Sequence, residues 1–277
     1  MKDTFAYHKA VTKLREFFQY EKGFIEVPAQ SRLSILAACE DPKTIVKYKP
    51  DGKTSNPMIQ TGQMWLEHEL LKNPKEKGFY CISTSYRNEP NPIEGRHALS
   101  GVFPLFEFES HGNMDDLQAL EEELLEHLGF KMTIPISYDE ACAIYATDSI
   151  EAEHEEKMAK SIGNNIALKY FPQRSQPFWN MKQNGEDKNL YNKIDIILFG
   201  QETIGSAERS CNPKEMRDNF YNISDGEYAQ LLFDQFGEQR VIDELDEYLL
   251  SYDFFPRYGG GIGMSRMCRA LKLQGLI

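Results

Sequence analysis

Near its C-terminal end the chain carries Gly259-Gly260-Gly261-Ile262-Gly263, followed by Met264-Ser265-Arg266. A backbone almost stripped of Cβ atoms lets other side chains or a ligand come unusually close. The run reads as a small-residue strand or turn leading into a short helix, Met264–Leu273. A helix N-terminus offers free N–H groups to anions, which places Arg266 well for a terminal phosphate. No GK[ST] follows, so this is not a Walker loop. Its position late in the chain also differs from a dinucleotide fingerprint, which opens a βαβ unit.

Ahead of this run lie alternating helical and strand-like segments. Residues 8–20 place Val11, Leu14 and Phe17/Phe18 at helical spacing. Gly23 stops that helix, and residues 24–28 read as a short strand ending at Pro28. The polar stretch 41–57 reads as a surface loop and Gln63–Lys72 as a short helix. Phe79–Tyr86 and Val102–Glu109 form a hairpin around the polar loop Asn88–Gly101. An amphipathic helix carries Leu117, Leu120, Leu124 and Leu128, and Glu151–Ser161 is a more highly charged one. Residues 193–199 (KIDIILF) read as a strand and 241–250 as a helix. With no internal repeat, low-complexity segment or linker in view, the expectation is one mixed α/β domain over 1–277.

Composition narrows the function classes. A net charge of −12 disfavours a general nucleic-acid binder. Five widely spaced cysteines without a CxxC suggest reduced thiols in a cytoplasmic protein. No apolar run approaches the ~18 residues of a membrane helix.

Two further constellations can carry chemistry. In the first, Arg87 ends a strand and can grip a phosphate bidentately. Glu89 can accept from an amine such as that of adenine, Phe103 can stack on a base, and Arg96 and His97 lie in the loop where a polyphosphate would pass. An ordinary hairpin with charged loop residues is the alternative. In the second, Asp195 sits within an apolar run, where a lone carboxylate is costly. Asp195 and Glu202 would face opposite ways on one straight strand, but a turn at Gly200-Gln201 would bring them together. Paired carboxylates over phosphate oxygens suit Mg²⁺. Arg209, on the return strand, is either a clamp for a carboxylate or amide or the internal partner of Asp195.

In this order the segments resemble the catalytic core of class II aminoacyl-tRNA synthetases, most nearly the asparaginyl/aspartyl subgroup, from residue 8 to residue 273. Residues 8–28 look like the first motif, which forms a homodimer interface. Arg87-Asn88-Glu89 through Phe103 to Glu109 is similar to the second, and Gly261–Arg266 to the third. The resemblance implies an α+β fold, an antiparallel sheet flanked by helices. It also implies an AMP-forming ligase that uses ATP and Mg²⁺. By it Arg87 would bind the α-phosphate, Glu89 and Phe103 adenine, and Arg266 the γ-phosphate. Asp195 and Glu202 would hold Mg²⁺, and Arg209 the amino acid's side chain. Glu40 would hold the α-amino group, with Gln63 a second substrate contact.

Departures from the subgroup shape the rest. Its tRNA-charging enzymes carry an N-terminal OB-fold that reads the anticodon; this chain opens at the first motif, so none is expected. Ser265 stands where the synthetases usually have an acid, and GGGIGMSR looks like the ending of bacterial aspartate–ammonia ligase. Aspartyl enzymes have a lysine one turn after the residue matching Gln63. Here Glu67 shares that helix face, which suits an amide better than a second carboxylate. The expected function is therefore activation of asparagine or a related amino acid as its adenylate. The acceptor would be a small amine rather than tRNA. An asparagine synthetase using aspartate and ammonia, or a catalytically silent binding protein, are the alternatives.

Overall fold

A computed structural model describes residues 3–29, 34–36, 40–90, 92–96 and 100–277. Within them the elements run α1 (Thr4–Arg15), β1 (Ile25–Glu26), β2 (Lys47–Tyr48), β3 (Asn56–Pro57), α2 (Gln63–Lys72), β4 (Gly78–Tyr86) and β5 (Val102–His111). Then come α3 (Met114–Leu128), β6 (Ile134–Ser137), α4 (Tyr138–Tyr145), α5 (Ala152–Ser161), β7 (Asn165–Pro172), β8 (Leu190–Leu198) and β9 (Gln201–Glu208). The chain closes with α6 (Pro213–Asn222), α7 (Glu227–Phe236), α8 (Glu238–Ser251), β10 (Arg257–Gly263) and α9 (Met264–Leu273). Eight strands form one sheet in the order β1-β4-β5-β10-β9-β8-β7-β6. Its two outer pairs, β1/β4 and β6/β7, are parallel and the interior pairs antiparallel. The fold is α+β, a mostly antiparallel sheet flanked by helices.

The glycine run resolves as a strand, β10, paired on both sides. Alternation then sorts the neighbouring strands into two faces. Phe106, Phe108, Ile194, Ile196, Ile204 and Ile262 point into a core filled from α1, α3 and α9. The leucine stripe of α3 supplies Leu117, Leu120, Leu124 and Leu128 to it, and an Asn113/Asp116 capping box starts that helix. A second core, around Trp179, Phe220, Leu232 and Leu245, gathers α6, α7 and α8 beside α2. A third packs α4 and α5 on β7 and β8 through Tyr138, Met158, Ile166 and Phe171.

The first helix ends earlier than the apolar spacing suggests: at Glu16–Glu21 it continues as a π-helical turn, which buries Phe17 and Phe18 side by side. The segment 41–57 is not wholly irregular, since it contains a 3₁₀ turn at Pro42–Thr44 and the small β2/β3 pair.

The hairpin β4/β5 closes where the backbone N–H of Arg87 donates to the Gly101 carbonyl at 2.8 Å. Gly101 takes φ +67°, and a Cβ there would lie 2.0 Å from the Arg87 carbonyl oxygen, so the position requires glycine. The turn between β8 and β9 falls at Phe199-Gly200, one residue earlier than expected, with φ of 50° and 78°. Two N–H groups of Arg269 on α9 donate to the Phe199 carbonyl at 3.2 Å, which holds this positive-φ turn against the last helix.

Candidate functional site

The face of β5, β9 and β10 opposite the α3 core floors a cavity of about 260 Å³. Phe103 and Leu105 reach it from β5, Thr203 and Gly205 from β9, and Gly261 and Gly263 from β10. Arg87, Glu89 and Arg96 enter from the β4–β5 connection, Glu40 from the loop before β2, Gln63 from the mouth of α2, and Ser265 and Arg266 from the first turn of α9. Chain segments from residue 40 to residue 266 thus meet in one place. His97 lies outside the described residues.

Arg87 pairs with Glu40 and stands over the Phe103 ring, 5.7 Å from its centroid. Glu40 holds the Arg87 guanidinium above its usual pKa. Arg266 behaves in the opposite way. Burial pulls its pKa down and Glu202 works against that, while the neighbouring cations Arg96 and Arg87 add to the fall. Its Nη1 donates to the Glu202 carbonyl at 2.7 Å. Three arginines converge here on partly dry surface, and an anion between them would relieve their mutual repulsion.

Asp195 and Glu202 meet by a different device from a turn alone. Asp195 pairs across the sheet with Gly205, and Ile196 with Ile204, but Ile197 pairs with Glu202. Thr203 is therefore an extra residue, a bulge that resets the alternation. Both carboxylates then overhang bare Gly205: a Cβ there would lie 2.9 Å from Glu202 Oε1 and 3.5 Å from Asp195 Oδ1. Burial pushes the Asp195 carboxyl upward, and Lys193, which contacts it, opposes the shift. Two carboxylates meeting above a glycine cradle, with Lys193 the one cation on Asp195 among the described residues, fit a hard, oxygen-seeking cation such as Mg²⁺. Bound there, it would neutralise charge on a polyphosphate. Arg209 is not the partner of Asp195.

Arg209 is almost wholly buried and holds Glu109 on β5 with two bonds, Nε to Oε1 at 3.0 Å and Nη2 to Oε2 at 3.1 Å. Its Nη2 also donates to Gln63 Oε1 at 2.8 Å. Burial raises the Glu109 carboxyl and Arg209 counters it. The room for Glu109 comes from β10, where Gly259 lies beneath it. Behind them Glu107 accepts from the Gly62 N–H at 2.8 Å and from the hydroxyls of Thr61 and Ser83, so β5 fixes the start of α2 and with it Gln63.

Glu67 corrects an expectation. Like Asp195 and Arg209, it does not line the cavity. It is fully buried one turn deeper in α2, where Arg257 of β10 pairs with it and Asn180 donates to it at 2.8 Å. A carboxylate without water needs such partners.

Glu107 and Glu109 carry more of this site than the sequence reading credits. The signal was present: in Phe106-Glu107-Phe108-Glu109 two buried aromatics alternate with two acids, which puts both acids on the face opposite the core. Glu155 on α5 joins the site without a local signal in the sequence; it pairs with Arg96 and accepts from the Glu202 N–H at 2.6 Å. A wider cleft of about 550 Å³ shares Glu40 and Arg87 with the first and is lined further by Tyr138, Phe171, Phe178 and Lys193. Among the described residues no group of three or more His, Cys, Asp or Glu is arranged to hold a metal. Nor is any helix among them long and apolar enough to cross a membrane.

This geometry has relatives. The chain superposes on asparaginyl-tRNA synthetase of Pyrococcus horikoshii, solved with asparaginyl-adenylate, with a TM-score of 0.76 at 20% identity, covering 96% of this chain and 64% of that one. Asparaginyl-tRNA synthetase of Entamoeba histolytica gives 0.75 at 17% identity, with 96% and 63% covered. Aspartyl-tRNA synthetase of the same organism gives 0.67 at 17%, with 96% and 54% covered. The chain thus spans under two thirds of the length of these structures. No curated protein sequence matches it. The family model described as tRNA synthetases class II (D, K and N) matches residues 1–275, nearly the whole chain. The chain belongs to the class II tRNA synthetase family of the D, K and N group.

Proposed function

We propose that this chain is an ATP- and Mg²⁺-dependent ligase that activates asparagine, or a related amino acid with a neutral polar side chain, as its adenylate. The observation that carries the substrate is Gln63, a neutral amide that lines the cavity and is held in place by Arg209 and Glu109 behind it. A carboxamide has a donor and an acceptor on one carbon. The amide of Gln63 offers the complementary pair, but it brings no positive charge to neutralise an aspartate side chain. On the nucleotide side, Arg87 would take the α-phosphate, Arg96 and Arg266 the polyphosphate, and Glu89 and Phe103 the base. The amino acid's carboxylate oxygen attacks the α-phosphorus and the bond to pyrophosphate breaks. No protein nucleophile is required, and the protein contributes positioning and charge neutralisation. Glu40, which lines the cavity and pairs with Arg87, is the acid for the α-amino group.

For the acceptor we favour a small amine over tRNA. A net charge of −12 repels a polyanion, and the cleft that meets the first cavity at Glu40 and Arg87 is an approach to the acyl group. A single domain acting as a homodimer in the cytoplasm completes the proposal. Phe5 on α1 and Tyr20 on the turn that continues it, 82% and 75% exposed, are apolar surface for a partner to cover. Free thiols at Cys81, Cys142, Cys211 and Cys268 support a reducing compartment.

ATP–pyrophosphate exchange over a panel of amino acids tests this reading. Exchange with asparagine well above aspartate is expected, and no exchange with any amino acid by folded protein overturns it. Ser265, which lines the cavity in the GGGIGMSR ending, favours the second reading, an asparagine synthetase. Formation of asparagine from aspartate, ammonia and ATP would replace the first reading with that one.

A further inference from the structure

Glu155 is an acid with two partners, each belonging to a different part of the nucleotide cavity. Its side chain is 9% exposed. One carboxylate oxygen pairs with Arg96 from the β4–β5 loop, and the other accepts from the backbone N–H of Glu202 at 2.6 Å. The same loop makes a second attachment nearby, where Gln201 Nε2 donates to the Gly95 carbonyl at 3.2 Å. From the other side Arg266 holds the Glu202 carbonyl. Helix α5 is packed closely on the β8–β9 turn, since a Cβ on Gly200 would lie 3.1 Å from the Glu156 Cα and 3.4 Å from the Ala159 Cβ. Glu155 is therefore delivered to Arg96 from a firm support.

We propose that Glu155 is the positioning residue of this site: it docks the β4–β5 loop on α5 and so holds Arg96 over the nucleotide before the nucleotide arrives. An arginine has five N–H donors in a fixed fork, so one engaged with Glu155 leaves others for phosphate oxygens. Arg96 lines the cavity while paired with Glu155, so pairing and presentation coexist. Ordering a loop and a long side chain in advance removes that entropic cost from binding, and the gain appears in nucleotide affinity rather than in the chemical step. This inference rests on reading the cavity as an ATP site.

The test is a cycle of Glu155→Ala, Arg96→Ala and the double variant in the full chain. ATP binding is measured by thermal shift with EDTA present, and KM for ATP by pyrophosphate exchange. Glu155→Ala is expected to weaken ATP about tenfold with little change in kcat or in KM for the amino acid. The double variant should bind ATP no more weakly than Arg96→Ala alone. ATP binding by Glu155→Ala within about twofold of the parent, or losses that simply add, overturns the inference. Should Glu155→Ala not fold, Gln201→Leu, which cuts the Gly95 contact, serves instead. Faster proteolysis within 88–101 and weaker ATP binding support the docked loop, and unchanged cleavage and binding overturn it. A parent protein that binds no ATP overturns the nucleotide reading and this inference with it, whereas a parent that binds ATP alongside an unaffected variant overturns the inference alone.

Discussion

A Cβ added to Gly259 would lie 1.7 Å from Oε2 of Glu109. The glycine of one strand and the acid of its neighbour therefore occupy complementary space. Gly259→Ala must push Glu109 aside, and Arg209 and Gln63 with it. Overpacking of this kind costs about 1–3 kcal/mol. The expected outcome is a melting temperature lowered by roughly 2–4 °C per kcal/mol. A loss of amino-acid-dependent pyrophosphate exchange should exceed what that destabilisation explains. An alanine variant that keeps its KM for the amino acid would mean that the Glu109–Arg209 pair does not set the position of Gln63 against the substrate.

Glu67 and Arg257 form a buried pair. Removing one charge strands the other, which costs about 3–5 kcal/mol, while replacing both with apolar residues of similar size costs far less. Glu67→Met or Arg257→Met alone should unfold at much lower denaturant than the double variant. If Glu67 were instead a substrate contact, Glu67→Gln would raise KM for the amino acid with no such pairing pattern in stability.

Glu121 of α3 is buried against Ser206, whose hydroxyl donates to it at 2.7 Å, and burial pushes its carboxyl up to about 8. Asp195 adds to that shift, while the Ser206 bond and Lys193 oppose it. The folded state keeps a proton that the unfolded chain releases near the ordinary glutamate value. Stability should therefore fall as pH rises through the interval between that value and about 8. Denaturation followed across this range should show the slope reduced in Glu121→Gln, which keeps the hydrogen bond and cannot ionise. Equal slopes in both proteins would assign the effect to other groups.

Asp195 and Glu202 converge over Gly205, and the metal reading makes them interdependent. Asp195→Asn and Glu202→Gln should each raise the Mg²⁺ concentration needed for half-maximal exchange by about tenfold, a typical effect of weakening a ligand set. Titration of Mg²⁺ at saturating ATP measures this. An unchanged midpoint in both variants would place the metal on phosphate oxygens alone.

Much of the architecture was legible before any coordinates. The helices α2 and α9 begin and end where periodicity puts them, because an apolar stripe, a breaker and a long run of helix formers agree there. Strand β7, by contrast, carries no clear strand pattern. Its apolar run is interrupted at Lys169-Tyr170, where Tyr170 takes a positive φ and the register with β8 shifts. A bulge breaks the two-residue alternation on which a strand is recognised. Helices α4, α6 and α7 are not legible in the sequence either. They are short, and tertiary packing around Tyr138, Trp179 and Phe220 holds them where local propensity is weak.

The site divides in the same way. Arg87, Glu89, Phe103 and Arg266 could be named from motif and order, because each sits beside a strand end or helix start whose local sequence marks it. The meeting of Asp195 and Glu202 depended on a bulge at Thr203 that no local pattern announces. Gln63 and Glu67 separate most sharply. Helical spacing puts them on one face, and that much is correct. Yet Gln63 opens onto the cavity while Glu67 is taken by Arg257, 190 residues away in the chain. Periodicity is a property of a few consecutive residues and can say which side chains travel together. Which partner neutralises a buried charge depends on what the rest of the chain brings alongside, and for Glu67 that partner arrives with the strand that opens the final glycine run.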